Sequence, residues 1–313
     1  MGTRDAGEQV AFGFQLPVPG RAGLAGASEP RADAEELATV ARVAERAGFA
    51  VLAVGDHVDL PGSAAPRAGP TWCDALATLS WLAAGTERVR LLGHLGGQPL
   101  RHPLLAAKQW AALDAGTGGR TVLGVGPGGT EGGPAALDVD GRHEGALVDE
   151  ALEALRTTLD GERAAHEGRP SGPAGRRVPI WVGGASAAAR QRAARWGDGW
   201  LAVGPPEGRL SVAVAQVHEL RERYGRADEP FTVGALSGPL YVGAPRWDVG
   251  RAVHGSPEQI ASFLRSIARL GVDQIQVTFR SRDVHELHDQ LRAFGAEVAP
   301  LVAAGARRPV RSG

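Results

Sequence analysis

The chain has 313 residues, 43% of them hydrophobic and 22% charged, with a formal net charge of -1, a balance that can bury a sizeable core and excludes a disordered or fibrous chain. Near-neutral charge gives no electrostatic case for nucleic acid or an anionic membrane surface, so the expected partner is a small molecule. One cysteine, Cys73, excludes an internal disulfide framework and a cysteine-rich metal site; it reads as a small core residue and fits a reducing, cytoplasmic compartment.

Taken in order, the chain opens on a polar N-terminal tail over residues 1–10, with no apolar segment before a cleavage site, and no later run approaches membrane-spanning length. Ala11 to Leu16 reads as strand 1, followed by a Pro/Gly-rich loop. Asp33 to Ala47 carries Leu37, Val40, Ala41 and Ala44 at helical spacing, and Gly48 ends it. Val51 to Gly55 is strand 2, running into Asp56-His57, and a loop leads to a helix from Asp74 to Ala84. Val89 to Leu95 is strand 3, Pro103 to Asp114 helix 3, Thr121 to Gly126 strand 4 and Glu144 to Leu159 helix 4.

Ile180 to Val182 is too short and apolar for anything but a buried strand, and it meets Gly183, Gly184 and Ser186 before an alanine-rich helix. After that helix, Gly197-Asp198-Gly199 interrupts the pattern and Trp200 to Val203 reads as strand 6, so the unit is a βαβ crossover. Glu207 to Tyr224 is helix 6, Phe231 to Val242 contains strand 7, Pro257 to Leu270 is helix 7, Gln274 to Phe279 strand 8 and Val284 to Val298 the closing helix. Eight βα units predict a (β/α)8 TIM barrel, one α/β domain over residues 11–304 with a C-terminal tail over 305–313. A doubly wound sheet is the alternative, but it rarely uses eight regularly spaced units.

In such a barrel, ligands sit where strands end. Asp56 and His57 follow strand 2, and the pair is either structural or an acid/base site, since a histidine exchanges a proton near neutral pH and a neighbouring carboxylate holds it in place. His94 lies near the end of strand 3, and Gly126-Pro127-Gly128-Gly129 follows strand 4. Gly183 and Gly184 either close an ordinary turn or let the backbone approach a bound phosphate, with Ser186 capping a helix whose first N–H groups attract anions. Arg101-His102-Pro103 reads as loop anchoring and helix capping. Histidine spacing suited to a metal is missing, as is a Gly-x-Ser-x-Gly nucleophile elbow.

These pieces together resemble the luciferase-like monooxygenase superfamily, and within it the branch of oxidoreductases that use the deazaflavin coenzyme F420. The markers are Ala47-Gly48-Phe49 with Gly55-Asp56-His57, Thr86-x-Arg88-Val89-Arg90-Leu91, Arg101-His102-Pro103, and Asp114-x-x-Thr117-x-Gly119-Arg120 before Gly124-Val125-Gly126. Pro179-Ile180-Trp181-Val182-Gly183-Gly184, Gly197-Asp198-Gly199-Trp200 and Gly255-Ser256-Pro257 complete them. The resemblance implies a barrel with a flavin or deazaflavin ring across its C-terminal mouth, commonly as a homodimer. It implies cofactor contacts at His94, Leu95, Gly126, Pro127, Val182, Gly183, Gly184 and Ser186, with a strand-3 bulge and a cis peptide at His94–Leu95 behind the ring. His57, beside Asp56, would face the ring as hydrogen-bond donor or proton carrier.

Hydride transfer between F420 and a small organic substrate is the leading expectation. The alternatives are an FMN-dependent monooxygenase using oxygen and a flavin-binding barrel without turnover. Gly129 and Pro61 stand where sugar-phosphate dehydrogenase relatives carry an acidic residue and a tryptophan, which argues against that substrate class. The connection from Gly243 to Gly255 is short for the family, and its Trp247, Arg251 and His254 are either substrate or cofactor contacts or surface residues.

Overall fold

A computed structural model describes residues 10–17, 32–56, 74–96, 101–126, 144–160, 177–204 and 208–306. Strands β1 (Ala11–Gln15), β2 (Val51–Asp56), β3 (Arg90–Gly96), β4 (Thr121–Gly126), β5 (Ile180–Gly183) and β6 (Gly199–Ala202) pair in sequence order, all parallel. β6 pairs with β7 (Thr232–Val242), β7 with β9 (Gln274–Phe279), and β9 with β1, so eight strands close into the expected (β/α)8 barrel. β8 (Val253–Gly255) is an addition to the expected strands: it lies inside the short connection after β7 and extends that strand's second half.

Around the barrel lie α1 (Ala34–Arg46), α2 (Ala75–Ala83), α3 (Pro103–Thr117), α4 (Glu144–Leu159), α5 (Ala187–Trp196), α6 (Leu210–Arg223), α7 (Pro257–Ala268) and α8 (Val284–Ala293). The expected closing helix runs further than Val298: a π-helical turn, Phe294–Val298, leads into α9 (Ala299–Ala306). Their starts are written in the sequence. Asp33 accepts from the Glu36 N–H while Glu36 reaches back to the Asp33 N–H, both at 2.9 Å, a reciprocal cap that satisfies two donors the helix cannot. Ser256 and Gln259 repeat the arrangement on α7.

Strand alternation divides the side chains into two layers. Leu52, Val54, Leu91, Leu123, Val125, Ile180, Val182 and Trp200 face outward and join the helices in one large core. Val51, Ala53, Leu92, Val122 and Trp181 face inward and form a separate cluster inside the barrel.

The N-terminal rim is stapled by charged side chains. The Glu45 carboxylate accepts the N–H groups of Glu87, Arg88 and Val89 at 2.7–3.0 Å. Arg120 donates to the carbonyls of Ala83, Thr86 and Val89 and to the Thr86 hydroxyl at 3.0–3.1 Å. Asp198 accepts from Arg156 at 2.7 Å, Arg177 at 2.6 Å and the Ile180 N–H at 2.9 Å, tying β5 to β6. Three of the sequence markers, those around Thr86, Arg120 and Asp198, are thus devices for holding the barrel closed at the end away from its mouth.

Candidate active site

At the C-terminal ends of neighbouring strands the register places Gly55 opposite His94, His94 opposite Gly124, and Gly96 opposite Gly126. Val125 pairs with Val182, which sets Gly126 beside Gly183. Parallel strands end on one rim, so Asp56, His94, Gly126 and Gly183 share the mouth. Among the described residues the corner between β4 and β5 is open: a Cβ on Gly126 would meet nothing closer than the Gly183 carbonyl at 4.0 Å, and one on Gly183 nothing closer than Val203 at 3.7 Å.

The turn that follows is held from behind. Gly184 has φ +131°, a conformation L side chains rarely adopt. Its N–H donates to the Leu201 carbonyl at 3.0 Å, and its carbonyl accepts from the indole N–H of fully buried Trp200 at 2.9 Å. Both polar groups of Gly184 are therefore taken, and α5 starts directly after it with its N-terminal, positive end at the turn, where Ser186 caps the Ala189 N–H at 3.2 Å. Arg190, buried in that helix, donates to the Ala185 carbonyl at 2.8 Å and brings a positive charge to the turn. Arg190 is absent from the residues singled out in the sequence; its signal there is a cation four residues after the cap, on the helix's buried face.

Asp56 is buried, and by alternation its side chain lies on the helix side of β2. Arg101 bridges it at 2.6 Å and the α2 cap residue Asp74 at 2.8 Å. Burial pushes the Asp56 carboxyl up from its ordinary value, and the Arg101 guanidinium works against that rise. His102 caps α3 through its Nδ1 at 3.3 Å from the Leu104 N–H, so the Arg101-His102-Pro103 motif anchors and caps. His57 and Pro127 lie outside the described residues. Val182 turns its side chain into the helix layer and offers this corner only its backbone.

The expected bulge in strand 3 is not there. β3 keeps unbroken register on both sides through His94 and Leu95, and no cis peptide occurs among the described residues. The reason lies next to it: a Cβ on Gly124 would come within 2.7 Å of the Gly93 carbonyl and 3.2 Å of His94 Nδ1, so the missing side chain lets the imidazole lie over β4 without displacing the strand. Deeper in the barrel, Gln274 donates to Gln276 at 2.8 Å, and the alternation Gln-Ile-Gln-Val-Thr-Phe is the sequence signal for this inward polar pair.

The short connection after β7 is pinned down. Trp247 and Tyr241 both donate to Glu286, at 3.1 and 3.0 Å, while Arg251 and His254 are exposed. Among the described residues there is no group of side chains that could hold a metal ion, and no helix is long and apolar enough to cross a membrane.

The family described as luciferase-like monooxygenase matches residues 11–248. The chain belongs to it. An uncharacterized protein of Mycobacterium tuberculosis and one of Mycobacterium bovis are each 29% identical to this luciferase-like chain over 222 residues, 63% of it and 75% of the relative. Its fold is shared by the long-chain alkane monooxygenase LadA (TM-score 0.76, 15% identity, 97% of this chain and 93% of that one). An F420-dependent secondary alcohol dehydrogenase shares it too (0.71, 15% identity, 94% and 99%). So does the coenzyme F420-dependent tetrahydromethanopterin reductase of Methanopyrus kandleri (0.67, 18% identity, 93% and 99%). The solved structures that share this barrel thus include two F420-dependent enzymes and a monooxygenase.

Proposed function

We propose that this luciferase-like protein is a coenzyme F420-dependent oxidoreductase that moves a hydride between the deazaflavin and a small organic substrate. The observation that carries the reading is the open corner at Gly126 and Gly183, on the rim where β2 ends, backed by a turn and a helix N-terminus fit for an anionic arm. The residues present suit the group: a flat ring needs the space that side chains at those two glycines would fill. A deazaflavin held there would supply two-electron hydride chemistry.

The chain's own residues do the rest. Gly126 and Gly183 leave room for the ring, His94 and Leu95 back it from β3, Val182 contributes backbone, and Pro127, next in sequence to Gly126, is a further contact in this reading. Gly184 sets the turn and Ser186 fixes the start of α5, whose positive dipole end, with the charge of Arg190 behind it, attracts a phosphate. His57 takes up or gives the accompanying proton at an imidazole nitrogen, the side-chain group whose chemistry suits proton exchange. Asp56 acts through position: its bond to Arg101 fixes the strand end from which His57 follows. We read the protein as a cytoplasmic homodimer that needs neither nucleic acid nor membrane.

Titration of the purified protein with F420 and, separately, with FMN tests this, each followed by cofactor fluorescence. Saturable F420 binding in the micromolar range or tighter, with weaker FMN binding, is expected. Tight FMN retention without F420 binding overturns it in favour of a flavin-dependent monooxygenase, the reading that the likeness to LadA supports. Failure to bind either cofactor also overturns it.

A further inference from the structure

The barrel has a second opening, at the end away from the mouth. Arg90 begins β3, Pro179 precedes β5, Asp198 precedes β6 and Thr232 begins β7, and these N-terminal ends surround a cavity of about 320 Å³, within the size range of small-molecule sites. Its inner wall is the Trp181 ring, which points into the barrel because Gly199 on the next strand has no Cβ; one there would lie 2.6 Å from the indole. Phe231, Pro179 and Pro230 make the other apolar walls.

Charge in this cavity is unevenly satisfied. Asp198 is fully engaged by Arg156, Arg177 and the Ile180 N–H. Glu229 is engaged by Arg226 at 2.7 Å, with Arg177 at 3.7 Å. Arg90 differs: its guanidinium makes no hydrogen bond or ion pair among the described residues, and its contact is with the Trp181 ring, 5.9 Å from the centroid. Beneath the rim, Arg221 packs on Phe231 at 4.2 Å with one buried terminal nitrogen lacking a partner, and the buried Arg156 Nε also lacks one. Arg156, Arg177, Arg221 and Arg226 thus gather round Asp198 and Glu229, with Arg90 beside them. Burial depresses the Arg90 pKa, with Asp114 and Asp198 opposing, yet a guanidinium stays charged at any physiological pH.

We propose that this cavity binds a small aromatic carboxylate, its ring against Trp181 and Phe231 and its carboxylate paired with the Arg90 guanidinium. The pairing follows from fork geometry: a guanidinium presents parallel N–H donors that match two carboxylate oxygens, and the partly desolvated setting strengthens the bond. Aromatic walls select a flat apolar body over a bare ion. The site is independent of the cofactor reading, since it lies at the opposite rim and shares no residue with the mouth.

The experiment is calorimetric titration of the full-length protein with benzoate, with benzyl alcohol and inorganic phosphate as controls, repeated on Arg90→Ala and Arg90→Lys. Saturable benzoate binding is expected, at least tenfold tighter than either control, lost in Arg90→Ala and weakened severalfold in Arg90→Lys. Thermal melting checks that the variants are folded; should Arg90→Ala not fold, Arg90→Lys and the benzyl alcohol control carry the decision. Absence of benzoate binding to the unaltered protein, equal affinity for benzyl alcohol, or unchanged affinity in the folded Arg90 variants would overturn the proposal.

Discussion

Gly124 shows how one missing methyl group can set a site. Its neighbour across the ladder is His94, and the space a Cβ would need is already taken by the Gly93 carbonyl, a backbone atom that cannot swing aside. Gly124→Ala should therefore cost about 1–3 kcal/mol of stability through overpacking, measured by urea denaturation. A loss below about 0.5 kcal/mol, the range of an ordinary surface change, would contradict the close approach of β3 and β4.

Glu45 makes the corresponding point at the N-terminal rim. Burial alone would raise its carboxyl, but the N–H groups of Val89, Arg88 and Glu87, with the charge of Arg88, outweigh that and hold it below its ordinary value. A carboxylate whose folded pKa is depressed contributes stability above the unfolded value of about 4.3 and loses it as pH falls through the folded one. Glu45→Gln should thus be less stable than the unaltered protein at neutral pH, and the gap should narrow between about pH 5 and pH 3. A gap that stays constant over that range would show that the charge of Glu45 plays no part.

At the scale of elements, the segment between β7 and β8 is tied down through Glu286. Burial would lift that carboxyl, yet the donors of Arg282, Trp247 and Tyr241 together keep it below its usual range, and it serves as the common acceptor for three separate pieces of chain. Glu286→Ala should raise amide exchange across residues 244–252 by an order of magnitude or more, one lost charged bond being worth about 1.5–3 kcal/mol, with the strands of the barrel little affected. Unchanged exchange there would mean that the segment is held by the packing of its own Val249 and Ala252 against Tyr241 instead.

The elements themselves are largely legible in the amino-acid sequence, and the reason is periodicity. The apolar spacing of α1 and the bare run Ile180–Val182 each point to one local answer, and caps such as Asp33 mark the start. β8 is not legible, because three residues carry too little pattern to register and their pairing depends on β7 being long enough to receive them. The site is legible in part. Glycines at strand ends announce the open corner, but nothing local says that Asp56 faces the helices and binds Arg101, a partner that only the folded barrel brings near. The regular course of β3 at His94 is likewise hidden, since it depends on an absent side chain in the neighbouring strand.

On the scale of the whole molecule, the two ends of the barrel are built to opposite purposes. The N-terminal rim is dense with carboxylates and guanidiniums that stitch strands together, and the segments around Thr86, Arg120 and Asp198 serve that closure. At the C-terminal rim, Gly126 and Gly183 carry no side chain and meet no close neighbour among the described residues, so volume that a packed core would fill is left for a ligand.

That claim is tested most directly by filling the corner. Gly183→Val places a β-branched side chain at a strand position with ordinary backbone geometry, its Cβ at ordinary contact distance from Val203 (3.7 Å) among the described residues, so the barrel should fold with a melting temperature near that of the unaltered protein. F420 affinity of the two proteins, measured side by side by quenching of cofactor fluorescence, should fall at least tenfold in Gly183→Val, equivalent to about 1.4 kcal/mol. Equal affinity in a folded variant would place the cofactor elsewhere and contradict the account.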